Sequence, residues 1–291
     1  MRQQRATYRV APYSKYQRFS AAAYQSVRHK PMIHGLFEVD VTEARAALGA
    51  HKAQTGESLS FTAFLCACLG KAVDEHKAMQ AFRLAGKRLI LFDDVDICTR
   101  IEREVAGQKY VVPSILRAAN RKTVRELHDE IRAAQVADPH DRLTRLSSLP
   151  VALYRPFIWV FTFIARWRPQ VWKDNMGTVG VTSVGMFGSG AGWGIPLATP
   201  TPLLLTVGGI GQKPVIVDGR VVVREYLSLT ISVDHTVIDG APATRFTRRL
   251  KELIESGYGF DDIVAESEQP PRSQEAGHVH HPALPFHVAP R

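Results

Sequence analysis

The feature that most constrains the fold is a pair of apolar runs near the C-terminus, joined by the dipeptide Asp218-Gly219. Residues 215–217 and 221–223 are all valine or isoleucine, and Asp-Gly between two β-branched runs predicts a two-residue hairpin turn. In residues 227–233, apolar side chains alternate with serine and threonine. This period of two predicts a strand with one buried face and one polar face.

The predicted strand leads into a short turn and then a helix. Residues 234–240 read DHTVIDG, so an imidazole follows the strand and a carboxylate comes four residues later. Pro242 stands where the first turn of a helix tolerates proline. This order places His235 at a strand exit, beside Asp239. The apolar residues that follow recur at helical spacing: Ala243, Phe246, Leu250, Leu253 and Ile254.

His235 is the principal candidate for a catalytic residue. A neutral imidazole is the usual side chain for taking a proton from a thiol or hydroxyl near neutral pH. A lone histidine at a strand end is more often structural, but the histidine, carboxylate and glycine together at a strand–turn–helix junction favour catalysis. Two roles stay open for Asp239. Its carboxylate could cap the following helix, where exposed N–H groups and the helix dipole favour negative charge, or it could take part in catalysis.

The run DHTVIDG resembles the His-x-x-x-Asp-Gly signature of the dihydrolipoyl acyltransferase component of 2-oxoacid dehydrogenase complexes. Chloramphenicol acetyltransferases carry a related signature. The resemblance implies a coenzyme-A-dependent acyltransferase in which His235 acts as general base. One position departs from the family pattern, because Thr236 stands where the family usually has arginine.

A second run, residues 180–188 (GVTSVGMFG), resembles the family segment Thr-Ile-Ser-Asn-Leu-Gly-Met-Phe-Gly. The family serine donates a hydrogen bond to the oxyanion of the tetrahedral intermediate. Aligned residue on residue, that serine falls on Thr182 and the family asparagine on Ser183. Successive strand residues point to opposite faces, so only one hydroxyl can face the reaction centre. We expect Thr182 to be the donor, with Ser183 as the alternative.

Weaker matches extend the resemblance from about residue 9 to about residue 260. They include the strand at 38–42, a helix at 60–72 with Ser60 as N-cap, a strand at 111–117, and a helix opened by a capping box at 123–126. The implied fold is an α/β sandwich of the chloramphenicol acetyltransferase type, a mixed sheet with packed helices. We expect one catalytic domain over 1–260 and a disordered tail rich in histidine and proline over 261–291.

Composition narrows the cellular setting and the partners. Cys66 and Cys68 lie two residues apart, which suits neither a zinc knuckle nor a local disulfide. Together with Cys98 they predict buried free thiols in a reducing compartment, which we take to be the cytoplasm. The net charge is +9, which suits the anionic phosphates of coenzyme A. No nucleic-acid motif occurs, and the four histidines of the tail form a poor metal site, so neither nucleic acid nor metal is expected.

The resemblance also bears on partners. Family members carry mobile lipoyl domains ahead of the catalytic domain, and no such segment fits before the catalytic motifs here. We therefore expect either a separate lipoyl-carrier protein or a different acceptor. Family members form trimers, or multiples of three, with each active site between subunits, so His235 and the hydroxyl donor would come from different subunits. The alternative is a catalytically inactive oligomeric scaffold related to the acyltransferase core.

The apolar segment 149–165 is a second departure from the family. Its uninterrupted part is too short to span a bilayer. The favoured interpretation is a helix buried in an oligomer or against the active-site channel. Flanking arginines at 155, 166 and 168, with nearby tryptophans, leave a second interpretation in which the helix lies on an anionic membrane surface.

Overall fold

The computed structural model describes residues 15–84, 87–105, 108–136, 153–185, 190–196 and 198–261, together with positions 9, 12 and 263. Seven α-helices lie in these parts of the chain: α1 Lys15–Val27, α2 Thr42–Thr55, α3 Phe61–Glu75, α4 Val124–Val136, α5 Tyr154–Trp167, α6 Pro169–Met176 and α7 Gly240–Glu255. The same parts contain eight strands: β1 Met32–Asp40, β2 Phe82–Arg83, β3 Leu89–Ile90, β4 Ile97–Val105, β5 Gln108–Leu116, β6 Val179–Ser183, β7 Leu203–Val217 and β8 Arg220–Asp234.

Six strands form one mixed sheet in the order β1-β8-β7-β6-β4-β5, and β2 pairs with β3 in a separate two-stranded sheet. The short β6 runs parallel to both of its neighbours, β4 and β7, while the remaining pairs are antiparallel. Parallel neighbours need crossover connections, and the β5-to-β6 crossover contains α4, α5 and α6. The mixed α/β sandwich expected from the sequence is confirmed.

The β7–β8 hairpin forms at the predicted dipeptide. Asp218 has φ of 49° and Gly219 has φ of 75°, so both turn residues are left-handed, as a type I′ turn requires. Val217 pairs with Arg220 directly across the turn. The turn sets the register of the hairpin as far as Ile210, which pairs with Leu227. A bulge between Val207 and Ile210 then shifts the pairing by one residue before the buried centre of the sheet, where Val207 pairs with Leu229.

The register gives the sheet two different faces. Core residues of β8 have odd numbers, as do those of β7 up to Val207. The helices α3 and α7 pack together, and α7 also contacts β1. On the other face, β8 presents polar side chains that are nevertheless buried: Ser228, Thr230, Ser232 and Asp234. The predicted alternation of 227–233 thus separates a hydrophobic core from a polar, covered face.

Local helix signals also agree with the structure. The Ser60 hydroxyl accepts a hydrogen bond from the Ala63 backbone N–H, so Ser60 is the N-cap of α3 as predicted. Glu126 accepts from the Thr123 backbone N–H, and Thr123 accepts from that of Glu126, which completes the predicted capping box of α4. These caps fix where both helices start.

The boundary between catalytic domain and tail, placed at 260 and 261, stays a prediction. Phe260 stacks on Phe64 with ring centroids 4.6 Å apart, and Ile263 is buried against the core. Position 262 and residues 264–291 lie outside the described residues.

Candidate active site

His235 lies in the turn directly after β8 and is held there by two backbone contacts. Its backbone N–H donates to the Pro31 carbonyl at 2.8 Å, and its ring Nδ1 lies 3.0 Å from the Ile238 carbonyl oxygen. A carbonyl only accepts, so the contact requires the proton on Nδ1. The Nε2 atom then keeps its lone pair. The side chain is 45% exposed, which leaves the imidazole open to a substrate in the single chain.

Asp234, the residue before the histidine, fastens this turn. Its Oδ1 accepts from the Thr236 backbone N–H at 3.0 Å and from the Thr236 hydroxyl at 2.6 Å. Its Oδ2 lies 3.3 Å from the Lys30 ammonium, which also donates to the Pro200 carbonyl. Burial lowers the pKa of Lys30, although the charge of Asp234 opposes that shift. Thr236, the residue that departs from the family pattern, therefore contributes two of the hydrogen bonds that hold the His235 turn in place.

Asp239 occupies the N-cap position of α7 with extended backbone, but its side chain makes no capping hydrogen bond. Its carboxylate is 86% exposed, and Oδ1 lies 3.9 Å from His235 Nδ1. That distance is too long for a hydrogen bond, and the Nδ1 proton already points to Ile238. The sequence left two roles open for Asp239, and the structure does not show the first of them, capping of α7 by the side chain.

Strand register separates Thr182 from Ser183. Thr182 pairs with Thr206, whereas Ser183 pairs with Val207, a residue of the hydrophobic core. Paired residues share a face of the sheet, so Ser183 lies on the helix-covered face. Thr182 lies on the opposite, polar face, and its role as oxyanion donor stays a prediction.

Two further threonines extend Thr182 into a row across the sheet. Thr206 pairs with Thr230 on β8, so three hydroxyl side chains lie side by side on β6, β7 and β8. The hydroxyls of Thr206 and Thr230 are buried and find no partner among the described residues. Buried polar atoms are almost always hydrogen-bonded, so two unpaired hydroxyls in one row need an explanation. Sequence reasoning missed them, although Thr230 stands at a polar position of the alternating run 227–233.

A glycine-rich segment covers part of this row. Gly192 forms an isolated bridge with Gly209, and Gly194 packs against Thr206. A Cβ atom at Gly194 would lie 3.0 Å from the Thr206 methyl and 2.7 Å from a methyl of Val184, so only glycine fits. The Trp193 indole donates to the Phe37 carbonyl at 3.3 Å. Residues 186–189, which the family resemblance includes, lie outside the described part of the chain.

The strand that carries Thr182 is anchored at its start by an ion pair between the half-exposed Arg117 and the buried Asp96. The Arg117 guanidinium donates to Asp96 at 2.7 Å and to the backbone carbonyls of Lys173 and Asp174 at the end of α6. The Asp96 carbonyl accepts from the Thr178 backbone N–H at 2.7 Å, one residue before β6. This network fixes β6 relative to β4 independently of the longer crossover.

His235 and Thr182 are far apart within one chain. Five residues separate Thr230 from His235 along β8, which is roughly 17 Å, and two strand spacings separate Thr230 from Thr182, roughly another 10 Å at right angles. The direct separation is therefore on the order of 20 Å. A general base must lie within hydrogen-bond reach of the proton it takes, and an oxyanion donor within reach of the same reacting group. A single chain cannot meet both conditions.

A cavity of about 640 Å³ lies beside the His235 turn, where Asp234, Thr236 and Val237 form part of its wall. Helix α5 forms another part, through Ile158, Thr162 and Ala165 on its inner side and through the edge of the largely exposed Trp159. Helix α5 and the histidine turn thus border one cavity, while burial of the helix in an oligomer or against an active-site channel stays a prediction. Residues 149–152 lie outside the described residues. No described helix is both long and apolar enough to span a membrane.

One cluster in the described residues has the side chains of a metal site: Glu57, His128 and Asp129. Glu57 accepts a hydrogen bond from Arg125, which is the main reason that the pKa of Glu57 is lowered. His128 Nδ1 accepts from the Ser60 backbone N–H at 2.9 Å. Since Glu57 and His128 already have protein partners, the cluster is better explained as an ion-pair network that joins α4 to the start of α3.

Comparison with known proteins gives the family context. The family model described as 2-oxoacid dehydrogenases acyltransferase (catalytic domain) matches residues 5–145 and 172–259. The lipoamide acyltransferase component of the branched-chain alpha-keto acid dehydrogenase complex of Bacillus subtilis is 28% identical over 228 residues, covering 76% of this chain and 46% of the relative. The dihydrolipoyllysine-residue acetyltransferase component of the pyruvate dehydrogenase complex of Staphylococcus aureus is 23% identical, covering 80% and 48%. The chain spans about half the length of these relatives.

Solved structures share the fold. The cubic core of the pyruvate dehydrogenase multienzyme complex has a TM-score of 0.63 at 23% identity, covering 90% of this chain and 95% of that one. A probable dihydrolipoamide acetyltransferase from Listeria monocytogenes has a TM-score of 0.60 at 23% identity, covering 86% and 95%. Dihydrolipoamide acetyltransferase from Azotobacter vinelandii, studied for the roles of a serine, a histidine and an asparagine in catalysis, has a TM-score of 0.63 at 21% identity, covering 90% and 95%.

Proposed function

The chain belongs to the family of 2-oxoacid dehydrogenase acyltransferase catalytic domains, and we propose that it moves an acyl group between a coenzyme A thioester and a small nucleophile. A dihydrolipoyl-type thiol is the acceptor that the family relationship favours. The observation that carries the proposal is the His235 turn, in which the Ile238 carbonyl holds a proton on Nδ1, so that the neutral imidazole keeps its lone pair on Nε2 in a side chain that is 45% exposed.

In this mechanism, His235 Nε2 takes the proton from the attacking thiol. The sulfur adds to the thioester carbonyl, and the carbonyl oxygen becomes an oxyanion. The Thr182 hydroxyl donates a hydrogen bond to that oxygen, an interaction worth roughly 3 kcal/mol where one donor has been removed from comparable sites. The tetrahedral intermediate then collapses, the coenzyme A thiolate leaves, and the imidazolium returns the proton to it. Coenzyme A is thus a substrate, and no metal takes part.

The hydroxyls of Thr206 and Thr230, which find no partner among the described residues, support the choice of Thr182 over Ser183. They lie in the same row and on the same face as Thr182, so this is the face of the sheet that carries hydroxyl donors. Ser183 faces the core residues of β7 instead. An anionic oxygen is therefore better accommodated on the face that Thr182 occupies.

The separation of roughly 20 Å between His235 and Thr182 supports an active site shared by two subunits. We propose a homotrimer, or a multiple of three, in which His235 of one subunit meets Thr182 of the next. The related pyruvate dehydrogenase structure is a cubic core, an assembly that threefold contacts can build. The free, largely buried cysteines favour a cytoplasmic setting.

Asp239 completes the proposed site as a positioning residue. It follows His235 at the same four-residue spacing that separates the histidine and asparagine studied in the Azotobacter vinelandii enzyme. Its exposed carboxylate, 3.9 Å from Nδ1, adds negative charge near the imidazole without a hydrogen bond. In the proposed assembly, this carboxylate stabilises the imidazolium that forms after proton transfer.

Mixing two impaired variants tests both the chemistry and the shared site. His235→Ala and Thr182→Val chains, each strongly impaired alone, are co-expressed with different tags and the mixed oligomers are purified. If the site is shared, roughly a quarter of the interfaces in an equal mixture combine an intact histidine with an intact threonine, and turnover with acyl-coenzyme A and dihydrolipoamide returns in proportion. Mixed oligomers without recovered activity would refute the shared site. A wild-type protein inactive with every donor and acceptor tried would favour the inactive scaffold.

A further inference from the structure

Helix α5 exposes a continuous stripe of large apolar side chains. Trp159 is 67% exposed and Trp167 is 65% exposed, and the Trp159 and Phe163 rings stack with centroids 5.7 Å apart. Most members recur at intervals of three and four, so they share one side of the helix. An apolar patch of this kind marks an interaction surface. The α5 stripe consists of Leu153, Phe157, Trp159, Val160, Phe163, Ile164 and Trp167.

The stripe belongs to a part of the chain with positive charge only. Helix α1 packs against α5. Residues 15–31 and 153–169, which contain these two helices, include seven lysines and arginines and no aspartate or glutamate. Aromatic side chains on one side of a short helix, with lysine and arginine around them, are typical of helices that lie in the plane of a membrane surface.

The family architecture does not account for this helix. The matched residues end at 145 and resume at 172, so α5 lies entirely within the unmatched stretch. The part of the chain that matches the family therefore gives no partner surface for the α5 stripe. A second copy docked stripe to stripe would bring seven cations of each chain together, and like charges across an interface oppose association. An anionic surface has the complementary charge.

We propose that the α5 stripe docks on an anionic phospholipid bilayer. The stripe would enter the boundary between headgroups and acyl chains, and the surrounding lysines and arginines would face the phosphates. At 14 residues, α5 is too short to cross a bilayer, so it lies along the surface. The inner side of the same helix lines the cavity beside the His235 turn. Docking therefore places the proposed acyl-transfer site at the membrane surface.

Vesicle sedimentation without substrates tests this inference separately from catalysis. The purified 291-residue protein is mixed with vesicles of phosphatidylcholine and phosphatidylglycerol in equal parts, or of phosphatidylcholine alone. We expect at least roughly tenfold stronger partitioning onto the anionic vesicles, a decrease as salt is raised, and a blue shift of tryptophan emission on binding. Equal, salt-independent partitioning or no partitioning would overturn the proposal.

A matched pair of variants isolates the stripe. Trp159→Ser/Phe163→Ser removes two exposed rings of α5, whereas Val221→Ser/Val223→Ser removes two exposed apolar side chains from the β7–β8 hairpin. The first variant should lose at least roughly tenfold in partitioning, and the second should bind like the wild type. Light scattering on both variants measures their oligomeric state and so tests whether a second copy of the chain, rather than a membrane, covers the stripe. An α5 variant that binds vesicles normally but dissociates into smaller oligomers would show that a second copy covers the stripe, and would overturn the membrane proposal.

Discussion

The Nδ1 atom of His235 lies 3.0 Å from the carbonyl oxygen of Ile238, three residues later in the same turn. The contact selects one tautomer before any substrate arrives, because the carbonyl can accept only from a protonated Nδ1. The backbone of the turn thereby determines that Nε2, and not Nδ1, is the basic nitrogen of the proposed catalyst.

The first prediction distinguishes two roles of the His235 side chain, the hydrogen bond to Ile238 and the action as a base. His235→Gln keeps an N–H donor for Ile238 but has no basic nitrogen, so we expect turnover to fall about a thousandfold while thermal stability is retained. His76→Gln is the control, because His76 Nδ1 also contacts a backbone carbonyl, that of Ala72, at 3.1 Å. Steady-state kinetics and thermal melts measure both effects. Unchanged turnover in His235→Gln would remove the histidine from the mechanism.

The second prediction distinguishes the two hydroxyls of β6. Thr182→Val keeps the shape of the side chain and deletes the donor, so turnover should drop about a hundredfold or more. Ser183→Ala should change it little, because Ser183 lies on the face of Val207 and the core. Kinetics with an acyl-coenzyme A donor and a small thiol acceptor measure both variants. If Ser183→Ala proves the more damaging, catalysis uses the opposite face of the strand.

The third prediction compares two N-caps. Asp239 makes no side-chain capping bond, so Asp239→Asn should lower the free energy of unfolding by no more than about 0.5 kcal/mol, through the helix dipole alone. Ser60 does cap α3, and Ser60→Ala should cost about 1 kcal/mol. Urea unfolding gives both values. A large destabilisation in Asp239→Asn would mean that the carboxylate caps α7 in solution.

The fourth prediction concerns the buried thiols and pH. Burial raises the pKa of Cys66 to about 12, against an ordinary value of 9.0. As the pH rises above 9, the unfolded chain loses this proton while the folded chain keeps it, so the stabilising contribution is complete below pH 9 and is lost between pH 9 and 12. Urea unfolding at increasing pH should show this decline, and Cys66→Ala should reduce its slope. An identical slope in both proteins would contradict the assignment.

Thiol labelling checks the same burial in a second way. At pH 8, Cys66 and Cys68 should react with a disulfide reagent only as fast as the protein unfolds, because the thiolate is the reactive form and burial raises the pKa of both thiols. In urea all three cysteines should react at once. Rapid labelling of either residue in the native protein would show that α3 is accessible.

Much of this fold could be predicted because its signals are local. The Asp218-Gly219 turn, the alternation of 227–233 and the Ser60 cap each depend on a few adjacent residues, and the structure places all three as expected. Local patterns also located His235 at the end of its strand. Such features follow from backbone sterics and period alone.

Other parts of the candidate site depend on contacts between distant segments. Lys30 reaches Asp234 across about 200 residues of chain, and Thr182, Thr206 and Thr230 become neighbours only through the pairing of β6, β7 and β8. No pattern within one segment encodes such a register. The orientation of the exposed Asp239 carboxylate could not be predicted from the sequence either, because a side chain at an N-cap position can turn toward the helix or toward solvent.

The anchoring of β6 by Arg117 and Asp96 also bears on how this protein could have diverged and could be engineered. Both ends of the crossover that contains α5 are tied to the sheet or its helices by their own contacts, so extra chain between them need not disturb Thr182. The entropy cost of a longer connection grows only logarithmically with its length. This crossover is therefore a permissive point of the fold, where a tag, a reporter or a new targeting element can be grafted while the acyltransferase framework stays in place.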